Sequence, residues 1–123
     1  MSSNQFNKIL VVKHGSLGDI AFSLFAMASI KKFFTNAKID LLTEKKYISL
    51  LRNSNYFRAI LADNRAGVMN SLKVILNINR NKYDLIIDLQ NSKRTNIYWL
   101  LLKFISNTKV NGSRSNCDIK YVI

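Results

Sequence analysis

Apolar residues in this chain come in short runs that alternate with longer stretches of helical period. Ile9 to Lys13 (ILVVK) is a compact aliphatic run and predicts a buried strand. Ile20 to Phe34 is apolar almost all round, with Lys31 and Lys32 near its end, and predicts a helix lying flat on a sheet. Lys38 to Thr43 predicts a second strand, and Glu44 to Arg52 a short helix with Tyr47, Leu50 and Leu51 at inward spacing. Tyr56 to Ala62 predicts a third strand. Val68 to Ile78 predicts an amphipathic helix carrying Leu72, Ile75, Leu76 and Ile78. Tyr83 to Leu89 has an unbroken apolar centre and predicts a fourth strand, buried on both faces. Thr95 to Ile105 predicts another helix, Lys109 to Gly112 a short fifth strand, and Ile119 to Ile123 the start of a sixth.

Strands that alternate with helices imply βαβ units and a parallel sheet. Right-handed crossovers then place helices on both faces. The expected fold is α/β, a three-layer Rossmann-like sheet, in one domain over residues 1–123. No internal repeat or low-complexity linker divides it, and 123 residues suffice for a modest core.

Composition narrows the class. At 48% hydrophobic and 21% charged, the chain is globular rather than disordered. Its opening lacks the basic and apolar regions of a signal peptide, and no apolar stretch reaches the roughly 20 residues of a membrane span. The one cysteine, Cys117, excludes an intramolecular disulfide and fits a cytoplasmic setting. Net charge is +12, from 19 Lys and Arg against 7 Asp and Glu. The cations are scattered, with no aromatic-interleaved stripe of the kind that stacks nucleic acid. Together with abundant Lys, Asn and Ile and no proline, this fits coding bias better than a nucleic-acid surface. Weak attraction to an anionic membrane face is compatible with it.

Chemistry concentrates where the first strand gives way to the first helix, at Gly15-Ser-Leu-Gly-Asp19. Ligands of open α/β sheets bind at such carboxyl edges. The turn has neither the Lys-Ser/Thr of a phosphate-cradling P-loop nor the spacing of a dinucleotide loop. Gly15 and Gly18 allow positive φ and close approach. Asp19 has two readings: an N-cap of the following helix, or a carboxylate facing a ligand and able to accept a hydroxyl proton. A helix N-terminus favours its ionised form, a ready acceptor and a weak base. Gln90, Asn91, Lys93, Arg94 and Thr95 follow the fourth strand at a second carboxyl edge. If strands one and four are neighbours, the two turns flank one crevice. Arg94 could fork onto a carboxylate or phosphate, while Asn91 or Ser92 caps the helix and Lys93 is solvated. His14 has no metal-ligand or carboxylate partner at local spacing and reads as a loop histidine. Ser16 lacks a nucleophile elbow. Arg65 has no motif around it. Asp88 reads as a hydrogen-bonded support, and Tyr98 and Trp99 as helix packing.

ILVVKHGSLGDI resembles the opening of the glycosyltransferase family that contains the ADP-heptose:lipopolysaccharide heptosyltransferases. YDLIIDLQNSKRT, residues 83–95, resembles the same family's later block, and Ala37 to Glu44 its second strand and turn. The similarity covers roughly residues 8–112. Asn91 departs from a glycine common in the family. The resemblance implies two Rossmann-like halves with the active site between them. The N-terminal half binds an anionic, lipid-linked sugar acceptor. The C-terminal half, which this chain lacks, binds the nucleotide-sugar donor. It implies inverting transfer of heptose without a metal or other cofactor, on the cytoplasmic face of the inner membrane. Asp19 then takes the position of the base, with Gly15, Ser16, Gly18, Gln90, Asn91, Arg94 and Thr95 toward the substrate. Such a chain alone is expected to be inactive; the alternative is a non-catalytic remnant or binding module. A flavodoxin-like signalling domain ranks last, because the first strand ends in Lys13-His14 rather than an acidic pair.

Overall fold

The structure, a computed structural model, describes residues 6–15, 17–63, 67–113, 116–117 and 119–120, and the backbone alone at residues 17, 19, 119 and 120. Six parallel strands form one sheet: β1 (Lys8–Val12), β2 (Lys38–Thr43), β3 (Ala59–Ala62), β4 (Leu85–Asp88), β5 (Lys109–Gly112) and β6 (Ile119–Lys120). Their order is β3-β2-β1-β4-β5-β6, so the chain reverses direction of travel between β1 and β4. Four helices connect them: α1 (Leu17–Phe33), α2 (Ile48–Arg52, preceded by a 3₁₀ turn at Lys45–Tyr47), α3 (Gly67–Asn81) and α4 (Lys93–Lys103). The fold is the expected α/β sheet with helices on both faces.

Alternation along the central strands divides the core in two. Ile9 and Val11 of β1 join Leu85 and Ile87 of β4 under α1 and α2, against Ile20, Met27, Tyr47 and Leu51. Leu10 and Val12 point the other way and join Ile86 and Val110 under α3 and α4, against Val74, Ile78, Trp99 and Leu102. A one-residue slip of β1 would exchange these two sets, so the register Ile9↔Leu85 and Val12↔Asp88 is strongly specified.

Several boundaries differ from the periodicity. α1 begins at Leu17, ahead of the apolar run, because the polar first turn carries no periodic signal. β3 and β4 are shorter than their apolar runs: β3 pairs with β2 only from Asp40↔Ala59 onward, and β4 pairs with β1 over Leu85–Asp88. α4 starts at Lys93 because Ser92 caps it: Ser92 Oγ accepts from the Thr95 amide at 3.1 Å, and the Ser92 amide donates to Thr95 Oγ1 at 3.0 Å. No described helix joins β5 to β6, which leaves a groove of ≈ 360 Å³ between α1 and the β4–β5 face, lined by Phe33, Ile87, Leu89 and Asn111.

Candidate functional site

Pairing of β1 with β4 brings their two carboxyl-edge turns side by side at the switch point of the sheet. The link is direct. The His14 amide donates to Gln90 Oε1 at 3.2 Å, and the Leu89 amide donates to the Val12 carbonyl at 2.9 Å. Gly15 has φ 58°, the left-handed region that glycine enters without cost. Gly18 differs from its expectation. It is the second residue of α1, without positive φ, and a Cβ there would meet nothing within 4 Å. Packing therefore does not require glycine at this position; the space in front of it is open. Asp19 is the third residue of α1, inside the first turn rather than at the cap position. Ser16, the Asp19 side chain and Arg65 lie outside the described residues.

Asp88 builds the second turn. One carboxylate oxygen accepts the Gln90 and Asn91 amides, both at 2.9 Å, and the other accepts from Trp99 Nε1 at 2.8 Å. The support role read from sequence is thus observed, and Trp99 is more than packing. The carboxylate holds Asn91 at φ 52°. Asn91 Oδ1 in turn accepts from the Ser113 amide at 2.8 Å, so its side chain faces β5. There Gly112 has no room for a side chain: an added Cβ would lie 2.7 Å from Cys117 Sγ and 3.1 Å from Asn91 Oδ1. Gln90 is half-buried at the rim. Thr95 is fully buried within the capping box, and Lys93 is exposed. Arg94 donates from Nε to the Tyr98 hydroxyl at 2.7 Å and from Nη2 to Ser71 Oγ at 2.9 Å. Its fork lies in the groove between α3 and α4.

Behind the crevice lies a buried polar chain that local spacing did not reveal. His14 lies in the loop after β1 but is wholly buried, and its Nε2 is 2.8 Å from Asp63 Oδ2. Asp63, also wholly buried, accepts from the Tyr98 hydroxyl at 2.7 Å and from Asn70 Nδ2 at 3.0 Å. Burial, and then the bond to Asp63, push the Tyr98 hydroxyl above its ordinary range, so it remains a donor. A neutral imidazole donating from Nε2 keeps a bare acceptor at Nδ1. That atom, like Thr43 Oγ1 at the end of β2, is buried without a hydrogen-bond partner among the described residues. The chain His14–Asp63–Tyr98–Arg94 ties the ends of β1 and β3 to α4. Only one sequence signal pointed to it, an acid directly after the third apolar run.

No group of three or more metal-ligating side chains occurs among the described residues. No described helix is long and apolar enough to cross a membrane. The geometry brings the β1–α1 and β4–α4 connections together at the carboxyl edge of the sheet.

Comparison with known proteins sharpens this picture. No family model matches the chain. Lipopolysaccharide heptosyltransferase 1 of Campylobacter coli is 29% identical over 87 residues, which are 68% of this chain and 25% of that protein. A family 9 glycosyl transferase of Veillonella parvula superposes over 99% of this chain and 37% of its own, with TM-score 0.81 and 16% identity. E. coli ADP-heptose lps heptosyltransferase II does so over 94% and 35%, with TM-score 0.73 and 18% identity. The E. coli heptosyltransferase WaaC with ADP covers 94% and 41%, with TM-score 0.66 and 15% identity. The chain thus spans a quarter of the length of its curated relative and about two fifths of these structures. In sequence it is similar to a lipopolysaccharide heptosyltransferase, and in fold it matches one part of the family 9 glycosyltransferases.

Proposed function

We propose that this chain is the acceptor-binding half of a glycosyltransferase of lipopolysaccharide core assembly, moving heptose from ADP-heptose to an anionic, lipid-linked sugar. The observation that carries the reading is the β1–β4 switch point, where the Asp19 turn and the Gln90–Asn91 turn are joined through His14 and Gln90. The sequence similarity to a heptosyltransferase supports the substrate class.

In this mechanism the Asp19 carboxylate accepts the proton of the acceptor hydroxyl. The acceptor oxygen bonds to the anomeric carbon of heptose from the face opposite ADP. The bond from that carbon to the diphosphate oxygen breaks, and ADP leaves with its electron pair. One displacement inverts the anomeric centre, so no second carboxylate nucleophile and no metal are needed. Gly15, Ser16 and Gly18 let the acceptor approach the backbone, and the open space before Gly18 supports this. Gln90 and Asn91 form the opposite rim. Arg94 and Thr95 hold the β4–α4 turn from behind, through Tyr98 and the Ser92 cap. The donor binds to a second Rossmann-like half, and the reaction belongs to the cytoplasmic side of the inner membrane.

The test is heptose transfer to a lipid A-type acceptor, with the chain co-expressed with the donor-binding half of a heptosyltransferase. Wild-type chain restores transfer, and Asp19→Ala reduces it by about 10³-fold or more with unchanged circular dichroism. Near-normal transfer by the variant overturns the base assignment. Transfer by the 123-residue chain alone overturns its assignment as half an enzyme. Acceptor binding without transfer in any pairing would mark a non-catalytic module.

A further inference from the structure

One helix holds two buried carboxylates at the carboxyl edge of the sheet. Asp63 directly follows β3, Asp88 ends β4, and both are wholly buried. Consecutive residues of α4 donate to them: the Tyr98 hydroxyl to Asp63 Oδ2 at 2.7 Å, and Trp99 Nε1 to Asp88 Oδ2 at 2.8 Å. Neighbouring residues of a helix project about 100° apart, so α4 reaches two strand ends at once. Each carboxylate then governs one turn of the switch point. Asp88 holds the Gln90 and Asn91 amides, and Asp63 holds the His14 imidazole.

Gly15 follows His14 at φ 58°, and α1 begins two residues later. Glycine enters many conformations at little cost, so Gly15 does not select its own. What is fixed on either side selects it. Downstream, Ile20 of α1 is anchored in the core. Upstream, His14 is held twice, by its side chain from Asp63 and by its amide from Gln90 Oε1 at 3.2 Å. This hold is costly. His14 Nδ1 is buried without a hydrogen-bond partner among the described residues, and an apolar side chain of similar volume would leave no such atom. The fold keeps that cost immediately before the turn that leads to Asp19.

We infer that Asp63, acting through His14, is a positioning residue of the transfer reaction: it fixes the Gly15 turn and so sets where Asp19 stands relative to Gln90 and Asn91. The inference rests on the proposed function in taking Asp19 as the base.

The experiment compares wild type with His14→Leu and His14→Gln. Leucine fills the place of the imidazole without a donor and leaves Tyr98 and Asn70 on Asp63, so the chain still folds. Glutamine sets an amide nitrogen near the position of Nε2. Backbone relaxation of the 123-residue chain, by nuclear magnetic resonance, is the first readout. Order parameters at Gly15, Gly18 and Asp19 are about 0.85 in the wild type, fall below about 0.6 in His14→Leu and recover in His14→Gln. The second readout is heptose transfer with the co-expressed donor-binding half. His14→Leu lowers kcat by about 10²-fold at unchanged KM for the acceptor, and His14→Gln restores most of it. Asp40→Asn, which breaks a buried tie to Arg58 and Tyr83 ahead of β3 and β4, changes neither readout. Unchanged order parameters in His14→Leu overturn the inference. So does a loss of kcat that His14→Gln shares in full, a raised KM in place of a lowered kcat, or an equal loss in Asp40→Asn. Absence of transfer in every pairing, wild type included, overturns the proposed function and with it the catalytic sense of the tie, whereas the order parameters alone show whether the tie holds the turn.

Discussion

Asp63 shows how much one carboxylate can organise once it leaves water. It accepts hydrogen bonds from His14, Tyr98 and Asn70, so the charge that burial opposes is compensated from three directions. Asp63→Asn keeps the shape but offers one acceptor oxygen and two unwanted donors. It should lower stability by about 1–3 kcal/mol, read as a reduced urea midpoint with unchanged slope. Tyr98→Phe removes one of the three donors to Asp63, and with it the acceptor of Arg94 Nε. An unchanged midpoint for Asp63→Asn would mean that the chain His14–Asp63–Tyr98 does not contribute. The partner of His14 was illegible in the sequence because it lies 49 residues away and meets His14 only when β3 and β1 have joined the same sheet. Asp88 was legible because its partners lie within the next few residues, apart from Trp99 one helix later.

Among the elements, β2 and β5 match their apolar runs to the residue, whereas every α-helix starts or ends away from its periodic segment. Strand ends are set by pairing with neighbours whose lengths a local pattern partly encodes. Helix ends are set by caps, and capping residues are polar and aperiodic. α4 is the clearest case, because Ser92 and Thr95 exchange hydrogen bonds across its first turn. Ser92→Ala should cost about 1 kcal/mol and fray that turn. The expected signature is faster amide exchange at Lys93, Arg94 and Thr95 without change at Trp99; equal protection of Thr95 would deny the cap its role. The turn that carries Gln90 and Asn91 depends on this cap as well as on Asp88, so fraying should loosen the rim of the crevice.

For the molecule as a whole, acid sensitivity has an identifiable contributor at the opposite edge of the sheet. Burial pushes the Asp40 carboxyl up, but hydrogen bonds from Arg58 at 3.0 and 2.8 Å and from Tyr83 at 2.6 Å hold it below the ordinary carboxylate value. The folded state then binds this proton less readily than the unfolded chain. Its stabilisation is complete above about pH 4, where the unfolded carboxylate is ionised, and is lost as pH falls through the lower folded value. Urea midpoints between about pH 5 and 2 should fall for the wild type and fall less steeply for Asp40→Asn; parallel profiles would remove Asp40 from the account. The strand order has a further consequence, in the time course of synthesis. β1 leaves the ribosome before both of its neighbours, residues 38–42 and 85–88. Its aliphatic run, buried on both faces once the sheet closes, must therefore wait until residues 85–88 have been made before its second flank is covered. Contacts so distant in sequence close slowly. The segment that frames the crevice in the finished protein is thus the one most exposed to aggregation or chaperone capture while the chain is still being made.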